Sequence, residues 1–304
     1  MKSFVPILLT CDIHTHVQEV EEVREDLIST RAVFSQYKWP CTFLFPSKSA
    51  ESLCDQVGLL RDEGHEIGCH GLTHEPSENL ALLPLEEQQA ILSQATQRLG
   101  EILGERPQTF RAPVFKVSGH TVQVLDTLGY QADLSVVAGR LGIFGSEIYN
   151  LRPLLGTRTP YHPSIANPYR KGPANLWEIP VSALVLPFLS NTERLLGLSF
   201  MKHLFRVLYL EAKITGKPIV FVLHAEDLNP DRGVQQFSSR LSWRHFVPTH
   251  RDGFQFRFYL FERNWKYVHR DIVALLRYMQ SFPGIHFMRV KDYVQVLNQS
   301  HAPA

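Results

Sequence analysis

The sequence predicts an α/β fold of barrel type, a distorted (β/α)7 arrangement of parallel strands carrying long irregular loops. Three observations predict it. Short apolar runs alternate with amphipathic stretches about seven times along the chain, and that rhythm implies parallel strands joined by helical crossovers. The chain has 304 residues, enough for one large core. Histidines and acids gather where the apolar runs end, which is where parallel α/β folds place their sites.

Phe4 to Thr10 is the first buried strand. Val17 to Tyr37 is a helix with Val20, Val23, Leu27 and Phe34 on one face and acids opposite. Cys41 to Phe45 reads as a strand, Ala50 to Arg61 as a helix, and His65 to Cys69 as a strand ending at His70. Leu85 to Leu103 is amphipathic, with Leu92, Ala95, Leu99 and Ile102 spaced for one face. Thr109 to Ala112, a helix from Gly119 to Leu128, and Tyr130 to Val136 continue the alternation. It resumes with a strand at Leu176 to Leu184, a helix at Glu193 to Thr215 and an apolar strand at Pro218 to Leu223. A helix at Trp265 to Phe282, a strand at Ile285 to Val290 and a helix at Asp292 to Leu297 close the series. No repeat or low-complexity linker divides it, so a single domain over 1–304 is expected, with insertions near 138–175 and 228–258.

Composition sets limits. Hydrophobic residues make up 44% and charged residues 20%, ordinary values for a folded protein. A net charge of +1 gives no reason to expect a nucleic-acid partner. The four cysteines, Cys11, Cys41, Cys54 and Cys69, form no CxxC pair, so free thiols and a cytoplasmic setting are expected. The run after Met1 is short, contains Pro6 and lacks a small-residue cleavage site, so it is read as a strand rather than a leader.

Four segments carry chemistry. In Glu66-Ile67-Gly68-Cys69-His70-Gly71-Leu72-Thr73-His74, two histidines four apart can face one metal ion. Thr10-Cys11-Asp12-Ile13-His14-Thr15-His16 offers a base and further ligands at the end of the first strand, or an Asp capping the next helix. Phe110-Arg111-Ala112-Pro113 takes an arginine out of a strand into a proline turn. Val222-Leu223-His224-Ala225-Glu226 ends an apolar strand on a histidine, whose burial demands a partner.

In this order and spacing the segments resemble the polysaccharide deacetylase family, the NodB-homology group of carbohydrate esterases. The family's Thr-Phe-Asp-Asp looks like Thr10-Cys11-Asp12, and its Glu-Ile-Gly with His-x-x-x-His matches Glu66 to His74. Its Arg-x-Pro matches Arg111 and Pro113. Its Asp shortly after Gly-Tyr matches Asp133 after Gly129-Tyr130, and its Leu-x-His resembles the more tightly spaced Leu223-His224. The departure is Ile13, where the family has a metal-binding carboxylate. Either His14 completes a site of His14, His70 and His74, or Asp12 itself binds the ion and another base operates; His16 is a further candidate.

The resemblance implies a hydrolase that removes an N-acetyl or N-formyl group from an acylamino sugar. One divalent ion is implied, zinc suiting three histidines, with cobalt or nickel as alternatives. Asp12, held by Arg111, is the implied base and His224 the implied acid, with Asp133 orienting Arg111 or His224. Similarity to a cytoplasmic branch that deformylates lipid-linked sugars adds an expected peripheral contact with the inner membrane face. Val185 to Tyr209 is apolar enough for that contact, with Arg194, Lys202 and Arg206 toward phosphates, or is simply the fold's own buried helix. Two other readings stay open: a degenerate relative that only binds a glycan, and a hydrolase of a non-sugar amide.

Overall fold

The computed structural model describes residues 4–14, 20–141, 152–234, 242–246, 248–249, 253–254 and 256–301. Its framework is one parallel sheet. In chain order the strands of this sheet are β1 (Val5–Asp12), β2 (Thr42–Phe45), β3 (Glu66–Cys69), β4 (Thr109–Phe110), β5 (Ala132–Asp133), β6 (Trp177–Glu178), β7 (Ile219–His224) and β8 (Ile285–Met288). They lie in the order β7-β1-β2-β3-β4-β5-β6, and β8 pairs with the first half of β1. All these pairings are parallel.

The α-helices among the described residues are α1 (Val20–Tyr37), α2 (Ser47–Ser52), α3 (Cys54–Asp62), α4 (Leu85–Leu103), α5 (Gly119–Thr127), α6 (Ser190–Thr215), α7 (Phe256–Gln280) and α8 (Val290–His301). The strand–helix alternation legible in the sequence is therefore the observed one. Two details differ. The predicted helix Ala50 to Arg61 is two helices meeting at Leu53, which has φ −121 and ψ 26. The predicted strand Leu176 to Leu184 keeps only Trp177–Glu178 in the sheet, because Ala183–Leu184 turns back in a hairpin against Leu186–Pro187.

That hairpin fills the gap between the sheet edges, β6 and β7. Ser182 N–H donates to Val220 O at 3.3 Å, Val220 N–H to Ser182 Oγ at 3.0 Å and Val222 N–H to Phe188 O at 3.4 Å. The sheet is thus a curled half-barrel whose open side is covered by irregular chain, the distorted barrel that the sequence predicts.

The two-residue period of a strand sorts the core. Ile7, Leu9 and Cys11 of β1 join the outer layer with α1 and α4 residues, whereas Leu8 packs inside with Val220 and Val222 of β7. Val290, Tyr293, Val294 and Leu297 of α8 plug the interior at the strands' N-terminal end. Continuing the inward register from Leu8 leads to Thr10 and Asp12, and from Val222 to His224. The barrel mouth is therefore where polar side chains emerge.

The apolar stretch expected to touch lipid mostly belongs to the core. Phe188 and Phe205 are fully buried and Leu204 nearly so, because α6 packs against β7 and α7. Arg194 is buried in an ion cluster rather than turned toward solvent, and Arg206 Nε donates to the Tyr278 hydroxyl. Among the described residues no helix is long and apolar enough to cross a membrane. In the insertion near 228–258, Arg232 pairs with Asp26 and Glu22, and Arg240 and Arg251 lie outside the described residues. All four cysteines are free, and only Cys54 is exposed.

Candidate active site

The site forms at the C-terminal ends of β1, β3, β4 and β7. Register makes Asp12 the neighbour of His224 on β7 and of Leu44 on β2. Arg111 follows β4 and is fully buried. Its Nη1 donates to Asp12 Oδ1 at 2.5 Å, its Nη2 to Thr10 Oγ1 at 2.9 Å and its Nε to Leu134 O at 3.2 Å. A buried guanidinium satisfied on three sides holds one carboxylate in a fixed pose. Burial works against the Asp12 charge, but Arg111, then His70 and His224, outweigh it and hold this carboxyl below its usual range.

His70 ends β3. Its Nδ1 lies 2.8 Å from Arg111 O, a contact that makes Nδ1–H the donor and leaves the lone pair on Nε2. Nε2 is buried, has no hydrogen-bond partner and lies 4.0 Å from Asp12 Oδ2. Burial lowers the affinity of this imidazole for a proton.

The loop to His74 is wrapped around Glu78, a residue that no sequence motif singles out. The N–H groups of Leu72, Thr73 and His74 donate to its carboxylate at 2.6, 2.7 and 3.0 Å. Gly71 has φ +82, and a Cβ there would meet Glu78 Oε1 at 2.2 Å. His74 itself takes φ 63, an uncommon conformation outside glycine that the Glu78 contacts stabilise. An acid four residues past His74 was the available signal, but only tertiary geometry gives it a purpose.

His14 enters from the end of β1, with ring centroids 4.3 Å from His74, 5.9 Å from His70 and 4.7 Å from His224. One nitrogen from each of His14, His70 and His74 lies within 4.8 Å of the other two. Asp12, His14 and His224 satisfy the same spacing, so His14 is common to both groups. Three imidazoles, one with a lone pair stranded in the interior and its other nitrogen fixed by a carbonyl, fit a zinc-like ion. His16 lies outside the described residues.

His224 is set by Asp227. Asp227 Oδ2 accepts His224 N–H at 2.7 Å and lies 3.5 Å from Nδ1, while Ser190 Oγ is 3.3 Å from that nitrogen. Arg194 binds Asp227 Oδ1, reaches Glu226 Oε1 at 3.0 Å and stacks on Trp265 at 3.7 Å. Burial disfavours the imidazolium, yet the Asp227 hydrogen bond and charge prevail and raise His224 above its usual range. Asp227 is thus the main partner of His224, and Glu226, held by Arg194, adds its charge.

Asp133 stands behind Arg111 on β5. Its hydrogen bonds go to Ser135 rather than to Arg111 or His224, and it acts on Arg111 through charge. The structure thus brings Asp12, His14, His70, His74, Arg111 and His224 together, with Asp133 one layer below.

The sequence profile of the polysaccharide deacetylase family matches residues 7–132. A peptidoglycan deacetylase of Helicobacter pylori is 28% identical over 105 residues, 34% of this chain and 35% of that protein. A peptidoglycan deacetylase-like protein of Gibberella zeae is 30% identical over 95 residues, 31% of this chain and 27% of its own. The matched region thus spans about a third of these relatives or less. Among solved structures, one described as a probable polysaccharide deacetylase from Pseudomonas aeruginosa PAO1 superimposes with TM-score 0.62 at 13% identity, covering 99% of this chain and 93% of that one. An allantoinase superimposes with TM-score 0.61 at 12% identity, covering 99% and 92%. At such identities the structural likeness speaks for the fold. The profile match spans the segment that supplies Asp12, His70, His74 and Arg111, so the first part of the chain is similar to the polysaccharide deacetylase family.

Proposed function

We propose that the protein is a metal-dependent hydrolase that removes the N-acetyl group of an acetylated amino sugar. The observation that carries the reading is the convergence of His14, His70 and His74 beside the Arg111-held carboxylate of Asp12 and the dyad of His224 with Asp227.

His14, His70 and His74 would hold the ion, with the Arg111 carbonyl orienting His70 through Nδ1. The chemistry such an ion supplies when bound is Lewis acidity toward the acyl carbonyl and acidification of a water. Asp12 Oδ2, the oxygen not held by Arg111, takes a proton from the attacking water. A C–O bond forms to the acyl carbon as its C–N bond breaks. His224 delivers a proton to the leaving nitrogen, since an amine leaves poorly as its anion. Asp227 and Ser190 keep the His224 ring in position, and Arg194 keeps Asp227 in place.

The acetyl group and the sugar are proposed because the curated relatives are described as peptidoglycan deacetylases, one of them as deacetylase-like. A formyl donor and a lipid- or nucleotide-linked sugar are the alternatives that one assay separates. Zinc-loaded protein is incubated with N-acetylated and N-formylated amino sugars, free and carrier-linked, and amine release is followed. The reading requires acetate and free amine in equal amounts from an acetylated sugar. Release from a non-sugar amide alone would replace the sugar with another substrate class.

A further inference from the structure

Below Arg111 lie two buried acids that the proposed chemistry leaves unused. Asp133 of β5 and Glu178 of β6 are register partners on adjacent strands, and both are fully buried. Asp133 Oδ1 accepts the Ser135 N–H at 3.1 Å and also the Ser135 hydroxyl, and Glu178 Oε1 accepts the Val136 N–H at 3.0 Å. The remaining oxygens, Asp133 Oδ2 and Glu178 Oε2, are buried with no hydrogen-bond donor. Two such oxygens on neighbouring carboxyls tolerate one another in an interior only with a proton between them.

We propose that Glu178 is protonated and donates its proton to Asp133, so that the pair carries one negative charge and positions the turn that bears Arg111. The charged and titratable groups around the pair agree with that count. Arg111 faces it from β4 and already neutralises Asp12, and Tyr161, bridged to Glu178 through the backbone, is an uncharged phenol. Burial, then the Asp133 charge, pushes the Glu178 carboxyl far above its usual range; burial raises Asp133 as well.

The pair reaches the site through a chain of hydrogen bonds. Ser135 Oγ donates to Asp133 and accepts the Ala112 N–H at 2.8 Å. The adjoining Arg111 carbonyl accepts from His70 Nδ1. Asp133 and Glu178 are therefore positioning residues for Arg111 and His70, a role that rests on the proposed hydrolase reading. The shared proton does not depend on that reading.

Infrared spectra of wild-type protein and Glu178→Gln near neutral pH test the proton directly. The spectrum of the wild type minus that of the variant shows the carbonyl stretch of a protonated carboxyl, which sets it apart from Glu193, a carboxyl that burial raises to about 8. Glu178 keeps its proton in the fold while the unfolded chain loses it above the ordinary carboxylate range. Wild-type stability therefore falls as pH rises through that window, and the denaturation midpoint of Glu178→Gln gains on the wild type between about pH 5 and pH 8. Absence of the band from the difference spectrum, or an equal loss of midpoint at both pH values, overturns the shared proton. For the positioning role, Glu178→Ala lowers kcat about tenfold with KM little changed, and Glu178→Gln recovers most of it. If Glu178→Ala is as active as wild type, or Glu178→Gln recovers nothing, the positioning role is wrong. If Glu178→Ala fails to fold, the infrared band and the kcat of Glu178→Gln still decide. Wild-type protein inactive on every acylamino sugar would sink the hydrolase reading and leave the infrared result standing.

Discussion

Asp12 and His224 are register partners on adjacent parallel strands, β1 and β7. The pairing places the proposed base and the proposed acid side by side at the barrel mouth, each held from behind by its own ion pair: Arg111 for Asp12, and Asp227 with Arg194 for His224. An acyl carbon bound between them would be open to water on one side and to proton delivery on its nitrogen.

Removing either partner separates binding from chemistry. Asp12→Asn is expected to lower kcat about 10²- to 10⁴-fold, and His224→Ala by a similar factor, with KM changing far less. Steady-state kinetics of zinc-loaded variants, with the bound metal counted in each, check this. A variant that keeps its kcat is not missing a proton-transfer group.

The loop that carries His74 depends on Glu78 and Gly71. Glu78→Ala removes the acceptor of three backbone N–H groups and is expected to weaken zinc binding about 10- to 100-fold. Gly71→Ala drives a Cβ into Glu78 at a positive φ and is expected to do the same. Competition with a zinc chelator measures both, and unchanged affinity in both would exclude this loop from the metal site.

His65 gives a pH signature remote from the site. Its Nδ1 accepts the Cys41 N–H at 3.3 Å, and its ring lies against Phe34 and Phe43, so the fold requires the neutral form. Burial lowers its pKa to about 4. The folded value is depressed, so the stability it contributes is present above about pH 6.5 and is lost as pH falls toward 4. After allowance for partial solvent screening, the loss is about 1–3 kcal/mol. Denaturant titrations of wild type and His65→Gln over that range are expected to differ by this amount in the acid-induced fall, and parallel curves would contradict it.

The fold was legible because the long central strands are buried on both faces and read as apolar runs, as in Val5 to Leu9 and Ile219 to Leu223. The region from 177 to 189 was not legible. A two-residue strand and a hairpin have the same apolar composition as one long strand, and the difference lies in how the chain covers the open side of the barrel. Asp12, His70, His74, Arg111 and His224 were visible because they lie at or just past strand ends. Glu78, Asp227, Arg194 and Glu178 were not, since they act on other side chains or on backbone, and only tertiary contacts reveal which.

The metal site made by His14, His70 and His74 is tested most directly by zinc stoichiometry. Equilibrium dialysis of wild type, His14→Ala, His70→Ala and His74→Ala, each confirmed folded by circular dichroism, is expected to give about one tightly bound zinc for the wild type and none for the three variants. A wild type that retains no zinc, or a His70→Ala protein that binds it as tightly as wild type, would contradict that site.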